Sequence, residues 1–186
     1  DVPGSLEAYY QEAGRAGRDG EPAWCEILFN QADVRTQQFF LEGANPSRET
    51  LTVSFDKIRE LCKDSPIRLS SRQLREIIGK DHNGLAVDTA LRLLYRHGAI
   101  DLQPDYIALK NKHFDIEPIV DEVKKKYQRD SERLFRMLDY VKERDCRHLY
   151  ILKYFDDPDS PKACQFCDNC IRKKGLDSEK LRDPEE

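Results

Sequence analysis

The chain has 186 residues, of which 39% are hydrophobic and 35% charged, with a formal net charge of −4. This length allows one large domain or two small ones, and the charge excludes a uniformly basic nucleic-acid-binding surface but not a local basic face. No apolar run approaches the ~20 residues that span a bilayer, and residues 1–20 lack the apolar segment of a signal peptide. We therefore expect a cytoplasmic protein with no membrane partner. Because the chain begins at Asp1, we also expect a fragment or a processed product.

The first 47 residues predict helix, loop, strand and helix. Ser5 can cap a helix over 6–13, after which Gly14 and Gly17 interrupt the pattern and 19–22 form a turn. The short apolar segment 23–29 is typical of a buried strand. A second helix is predicted over 33–41.

Residues 48–113 predict a separate small module. Helical spacing covers 56–63, a Ser70–Gln73 capping box opens a helix that closes at Gly79, and a third helix over 85–97 stops at Gly98. Segments 100–102 and 106–109 can pair as a hairpin. Three short helices followed by a hairpin is the order of a winged helix-turn-helix.

Residues 114–171 predict a helical domain, and residues 172–186 a charged tail or linker. Helical spacing runs over 116–144, as one helix or as two broken near Asp130, and a further helix covers 147–155. The apolar stripe falls near a seven-residue repeat and needs a partner face; it consists of Val120, Val123, Tyr127, Ser131, Leu134, Leu138 and Val141.

Four of the six cysteines lie in this domain. Seventeen residues separate Cys146 from Cys164, and Cys167 and Cys170 follow at two-residue gaps. Clustered cysteines in a reducing compartment favour a metal over disulfides, and four thiolates fill the tetrahedral shell of a structural zinc ion. An iron–sulfur cluster is an alternative. Cys25 and Cys62 are predicted to be packed core residues.

The segment 11–20 places two arginines, Arg15 and Arg18, in a glycine-flanked loop after the first helix. Small residues let the backbone approach a ligand closely, and each guanidinium offers a planar fork to phosphate oxygens. Solvated arginines are the alternative interpretation.

Three sequence segments resemble the RecQ family of ATP-dependent DNA helicases. Q-E-A-G-R-A-G-R-D-G, preceded by P-G-S-L-E-A-Y-Y, is similar to helicase motif VI in its RecQ form, while C-R-H-L-Y-I-L-K-Y-F and C-x-x-C-D-N-C are similar to the zinc region. The resemblance implies 3′→5′ unwinding of DNA in recombination and repair. It also implies that residues 1–47 end a second RecA-like lobe, with the upstream motor lobes as partners, and a nucleoid-associated location if the source is bacterial.

The resemblance implies a role for three residues at an ATP site. Arg18 matches the arginine finger that reaches the γ-phosphate, Arg15 its companion phosphate-sensing arginine, and Gln11 the glutamine that couples the nucleotide to motor closure. ATP and Mg²⁺ would be held mainly by the first lobe. The Walker loop and the acidic magnesium box are absent from this sequence, so the chain alone is predicted not to hydrolyse ATP.

The module 48–113 departs from the family pattern, in which the motor often runs directly into the zinc region and a winged helix follows. If the module binds DNA, its candidates are arginines on its second and third helices, where a recognition helix would meet a major groove; these are Arg72, Arg75, Arg92 and Arg96. Protein contact is the alternative.

The predicted fold is mainly α with small β: a RecA-like remnant (1–47), a winged-helix-like insertion (48–113) and a helical four-cysteine zinc-binding domain (114–171). Two competing hypotheses are a non-enzymatic zinc and winged-helix DNA-binding regulator and a zinc-stabilised protein-docking module. Both leave the glycine–arginine loop without a purpose.

Overall fold

The computed structural model describes residues 1–21, 23–63, 65–79, 82–157 and 163–175. The described part is mainly helical with one two-stranded antiparallel sheet. None of its helices combines the length and the apolar character needed to cross a membrane. Its elements are α1 (Leu6–Ala13), α2 (Gln31–Ala44), α3 (Arg48–Leu61), α4 (Ser71–Ile78), α5 (Gly84–Arg96), β1 (Ile100–Gln103), β2 (Tyr106–Leu109), α6 (Glu117–Lys142), α7 (Arg147–Tyr154) and α8 (Asp168–Lys173).

The chain divides into two compact units. One unit combines residues 1–33 with the described residues from 132 onward, and the other comprises residues 34–131. The domain boundaries predicted from the sequence at 47, 113 and 171 stay a prediction.

The unit 34–131 is built around α3, α4, α5 and the hairpin. Its core contains Leu51 and Ile58 of α3, Leu74 of α4 and Leu91 and Leu94 of α5, all fully buried. In the hairpin, Ile100 lies opposite Leu109 and Gln103 opposite Tyr106. An isolated bridge joins Ile67 to Ile107, which gives the hairpin a third backbone partner. The predicted order of three helices and a hairpin is therefore present.

Local capping explains where these helices begin and end. The Ser47 and Asn83 side chains accept backbone N–H groups at the starts of α3 and α5, and Ser70 and Gln73 form the predicted capping box of α4. After α5, Gly98 adopts a φ of 76°, a conformation that glycine adopts without steric cost. The predicted capping box and the predicted stop at Gly98 are confirmed.

The other unit packs α1 against the end of α6 and against α7. Val2, Leu6, Met137 and Tyr140 form its buried cluster, and Ile151 of α7 packs beside them. The predicted helix over 6–13 with its Ser5 cap is confirmed, because the Ser5 Oγ accepts the Ala8 N–H at 3.1 Å. The single helix Glu117–Lys142 also settles the choice between one helix and two near Asp130.

The predicted strand over 23–29 is wrong. Residues 23–30 belong to no strand in the described structure, and the side chains of Trp24 and Leu28 are 56% and 77% exposed. A strand needs a hydrogen-bonded neighbour, and the described residues supply none for this segment. The same exposure corrects the core assignment of Cys25, which lies on the surface, whereas Cys62 is buried as predicted.

Several predicted boundaries differ from the observed ones. Helix α2 extends through Gly43 to Ala44, and α3 begins at Arg48 instead of residue 56, because Ser47 provides its cap. The short helix α8 was not predicted. Along α6, Tyr127 of the predicted stripe is exposed, while Ile119, Met137 and Tyr140 are buried. The predicted tail beyond residue 175 lies outside the described residues.

Candidate metal centre and nucleic-acid interface

The four predicted metal ligands converge on one place. The thiol sulfurs of Cys146, Cys164, Cys167 and Cys170 all lie within 4.8 Å of one another. Zinc–sulfur bonds of ~2.3 Å in a tetrahedron place sulfur atoms about 3.8 Å apart, and the Sγ atoms of Cys164 and Cys170 are 4.0 Å apart. All six cysteines of the chain are free thiols, so the cluster fits a zinc ion better than disulfides.

Each ligand is placed by local backbone structure. Cys146 is the N-cap of α7, Cys167 is the N-cap of α8 and Cys170 lies one turn into α8. Two backbone N–H groups point at sulfur: Cys164 N–H donates to Cys146 Sγ at 3.2 Å and Cys167 N–H donates to Cys164 Sγ at 3.3 Å. Such donors favour thiolates over thiols.

The four sulfurs differ in their affinity for protons. Burial raises the pKa of the Cys146 thiol, but hydrogen bonds, first among them that from the Cys164 backbone, bring this pKa down to about 7. Burial also raises the pKa of Cys164, to about 12. Four thiolates this close repel one another, and a divalent cation is the group that offsets this repulsion.

A bidentate ion pair braces the cysteine cluster. Arg147, next to the ligand Cys146, donates to Asp168, next to the ligand Cys167, through Nε–Oδ1 at 2.6 Å and Nη2–Oδ2 at 3.1 Å. The third guanidinium nitrogen donates to the Tyr140 carbonyl at 2.8 Å. Burial raises the pKa of Asp168, but the Arg147 guanidinium holds it below its ordinary value. The pair therefore ties the start of α8 to the start of α7 and to the end of α6.

Asn169 makes a second connection to the end of α6. Its side-chain amide donates to the carbonyls of Glu143 at 2.7 Å and Asp145 at 2.8 Å, and the residue is almost fully buried. Neither Asn169 nor the Arg147–Asp168 pair was predicted from the sequence. Their adjacency to the ligand cysteines was the one available signal.

Tyrosines connect these helices to α1. The Tyr140 hydroxyl donates to the Tyr9 hydroxyl at 3.3 Å, and Tyr154 donates to Glu7 Oε1 at 2.8 Å. Burial is the main reason that the pKa of Tyr140 is raised, so both tyrosines stay neutral donors at physiological pH. Helix α1, which carries Gln11, is thus held by α6 and α7.

The glycine–arginine loop follows α1 as a series of turns. Gly17 and Gly20 have φ values of 65° and 86°, so this loop uses conformations that glycine adopts easily. Gln11, Arg15 and Arg18 are all exposed, and within the described residues neither arginine has an ion pair. Both guanidinium groups are therefore free to contact an anion.

The four arginines proposed to contact DNA have different surroundings. Arg72 pairs with Glu76 at 3.4 Å, Arg75 with Asp88 at 2.7 Å, and Arg96 with Glu122. Arg92 donates to Thr89 Oγ1 at 3.4 Å and has no carboxylate partner in the part of the chain that is described. Arg92 and Arg96 are brought together in one cleft of about 580 Å³, whereas Arg72 and Arg75 lie outside it.

A protein-family comparison identifies the cysteine region. The family described as RecQ zinc-binding matches residues 108–171, a range that contains all four clustered cysteines and the Arg147–Asp168 pair.

Individual relatives carry the same family name. The ATP-dependent DNA helicase RecQ of Bacillus subtilis (strain 168) is 51% identical over 60 residues, covering 32% of this chain and 10% of the relative. The RecQ helicase of Synechocystis sp. is 28% identical over 180 residues, covering 91% of this chain and 33% of the relative. The ATP-dependent DNA helicase Q5 of Rattus norvegicus is 35% identical over 75 residues, covering 34% of this chain and 8% of the relative. The chain thus spans a third of these relatives' lengths or less, and no solved structure matches it.

Proposed function

Because the chain belongs to the RecQ family of ATP-dependent DNA helicases, we propose that it is the part of such a helicase that holds structural zinc, contacts DNA and supplies motif VI. The convergence of four thiols within 4.8 Å, inside the region that matches the RecQ zinc-binding family, carries this proposal. The activity we propose for the whole protein is 3′→5′ unwinding of DNA in recombination and repair.

The zinc ion would be held by Cys146, Cys164, Cys167 and Cys170. A complete shell of four thiolates leaves no position for a reacting water, so the metal would supply cross-linking and not catalysis. Arg147, Asp168 and Asn169 keep the ligand-bearing segments in place through the hydrogen bonds described above. This arrangement supports a purely structural role.

Arg18 and Arg15 would act at an ATP site completed by another motor lobe. A cation at the transferring phosphoryl group stabilises the charge that develops there, and both guanidiniums are exposed without a competing ion pair among the described residues. Gln11, at the last turn of α1, would couple the nucleotide to lobe closure. ATP and Mg²⁺ would be held mainly by that lobe, since the printed sequence has no Walker loop.

Residues 34–131 would supply DNA contacts. The order of α3, α4, α5 and the hairpin, with the extra bridge at Ile67, supports a winged-helix-like module. We place a RecA-like remnant before it in the chain and the zinc-binding domain after it. Such a protein would work wherever the cell keeps its DNA, which is the nucleoid region of the cytoplasm in a bacterium.

Three measurements test the proposal. The purified chain should bind DNA, should contain one zinc per molecule and should not hydrolyse ATP. When the chain is joined to a Walker-containing RecQ motor lobe, DNA-stimulated ATP hydrolysis should appear. Arg18→Ala should then reduce that hydrolysis by about 10³-fold or more with zinc content unchanged. Arg35→Ala, an exposed arginine of α2, is the matched control. Equal hydrolysis by the Arg18→Ala and Arg35→Ala proteins would contradict the arginine-finger role.

A further inference from the structure

The unit 34–131 contains a cleft between three helices. Its walls are the C-terminal part of α2, the outer face of α5 and the middle of α6, and its volume is about 580 Å³. Phe40 and Leu85 give it apolar surface, while Arg92, Arg96 and Lys126 give it positive charge. Clefts of this volume hold ligands of the size of a nucleoside.

The walls prevent the arginine face of α5 from entering a duplex. Gly43 of α2 packs so closely against α5 that a Cβ atom added there would lie 2.7 Å from Leu85 Cβ. On the other side, Glu122 of α6 pairs with Arg96 and contacts His97 at 3.0 Å. A major groove about 12 Å wide admits a single helix about 10–12 Å across. With α2 and α6 on either side, α5 cannot present Arg92 and Arg96 to base edges in that groove.

The side chains in the cleft suit a flexible single strand instead. Phe40 is 51% exposed and stacks edge-on against the exposed Phe39, with their ring centroids 5.8 Å apart. Exposed aromatic rings stack on unpaired bases with little regard to sequence, and neighbouring cations follow the phosphates. A duplex keeps its bases stacked inside and cannot use such rings.

The charges of the cleft favour a polyanion. Its lining contains three cations and one carboxylate, Glu122. Arg96 is bound to that carboxylate, and Lys126 contacts Asp130 at 2.6 Å. Arg92 is exposed and has no carboxylate partner among the described residues, so its charge is the one most available to a phosphate.

We propose that the cleft between α2, α5 and α6 binds single-stranded DNA, with Phe40 stacking on a base and Arg92 contacting a phosphate. This inference rests on the proposed DNA-binding function and deepens it, because it replaces major-groove docking of α5 by capture of an unpaired strand. Thr89, whose hydroxyl donates to the Gly43 carbonyl at 2.8 Å, keeps the two walls of the cleft together.

The test is a binding titration of the full chain with a fluorescent oligo-dT and with a duplex of equal length at low salt. Phe40→Ala and Arg92→Ala should each weaken oligo-dT binding about fivefold to tenfold or more and leave duplex binding unchanged. Phe166→Ala and Arg72→Ala are the controls, since both residues are exposed and lie outside the cleft. Thermal unfolding should show that all four variants fold.

A second measurement uses a fluorescent reporter in the cleft. In a Trp24→Phe background, which removes the single tryptophan, Phe40→Trp should be quenched by oligo-dT in a saturable way, and Arg92→Ala should shift the midpoint to higher concentration. Oligo-dT binding that both cleft variants retain in full would overturn the cleft and leave DNA binding by the chain intact. Loss of duplex binding in Arg92→Ala would point to groove docking instead. Failure of the chain to bind either DNA would overturn the DNA-contact proposal as well and leave an acidic peptide as the candidate occupant.

Discussion

Arg147 and Asp168, 21 residues apart in the sequence, form a two-point ion pair beside the cysteine cluster, with distances of 2.6 Å and 3.1 Å. Each residue is the immediate neighbour of a proposed zinc ligand. The pair is only partly exposed, so solvent screens it less than a surface ion pair.

Replacing Arg147 by Ala should destabilise the chain and weaken its hold on zinc. Asp168 would be left partly buried without a partner, a change that costs about 1–3 kcal/mol, and lost support beside metal ligands typically lowers metal affinity about 10–100-fold. Urea unfolding and competition with a zinc chelator measure the two effects. Arg147→Lys should fall between wild type and Ala, because a lysine keeps the charge but loses the two-point geometry. Arg136→Ala removes an exposed pair with Glu132 at 3.7 Å and should change neither quantity by more than about 0.5 kcal/mol.

Removing the metal should unfold the surroundings of the cysteine cluster. Binding of structural zinc contributes directly to folding free energy, and α7 has no buried residue of its own. A chelator, or Cys164→Ser combined with Cys167→Ser, should therefore abolish zinc content and lower the melting temperature. Cys25→Ser is the matched control, since Cys25 is an exposed thiol away from the cluster. If atomic absorption finds one zinc in the double variant as well, these two ligands are misassigned.

The pairing of Glu122 should make stability depend on pH in acid. Burial raises the pKa of Glu122, but its hydrogen bonds to Arg96 and His97 hold this pKa below its ordinary value. A carboxyl with a lowered folded-state pKa contributes stability above the unfolded pKa of ~4.3, and that contribution is lost as the pH falls through the folded-state pKa. The difference in unfolding free energy between wild type and Glu122→Gln should therefore shrink between about pH 5 and pH 3. Glu49→Gln, at another exposed carboxyl, should give a difference that does not follow this course.

Gly43→Ala should destabilise the unit 34–131 even though alanine favours a helix. The new methyl group would meet Leu85 Cβ at 2.7 Å, and overpacking of this kind costs about 1–3 kcal/mol, against a gain in helix propensity of ~1 kcal/mol. Leu85→Ala leaves that Cβ in place but lets the shortened side chain move aside. The cost should therefore be smaller in the double variant than the sum of the single variants. Additive free energies from chemical denaturation would show that residues 43 and 85 do not touch.

Local signals predicted much of the helical structure. The Ser5 cap, the Ser70–Gln73 capping box and the stop at Gly98 depend on residues within one helical turn, and the structure places all three where the sequence predicted them. The metal centre could also be recognised early, because three of its cysteines are close together in the chain. Cys146 was included on spacing alone, and the structure brings its sulfur to the other three.

The failures have a common physical origin in long-range contacts. Segment 23–29 has the apolar composition of a strand, but a strand forms only where a neighbour accepts its hydrogen bonds. The pairs Arg147–Asp168 and Arg96–Glu122 join residues 21 and 26 positions apart, and no periodicity in the sequence signals such pairs. The cleft beside α5 was missed for the same reason, since its walls come from three separate helices.

The hydrogen bonds at the end of α6 constrain the length of the chain there. The carbonyls of Tyr140, Glu143 and Asp145 are all engaged by side chains next to the cysteine ligands. One inserted residue would advance a helix by 1.5 Å and rotate it by about 100°, and no carbonyl would then face its present donor. Between residues 140 and 147 the chain can therefore accept substitutions but not insertions or deletions, so the number of residues there acts as a fixed gauge between helix and metal.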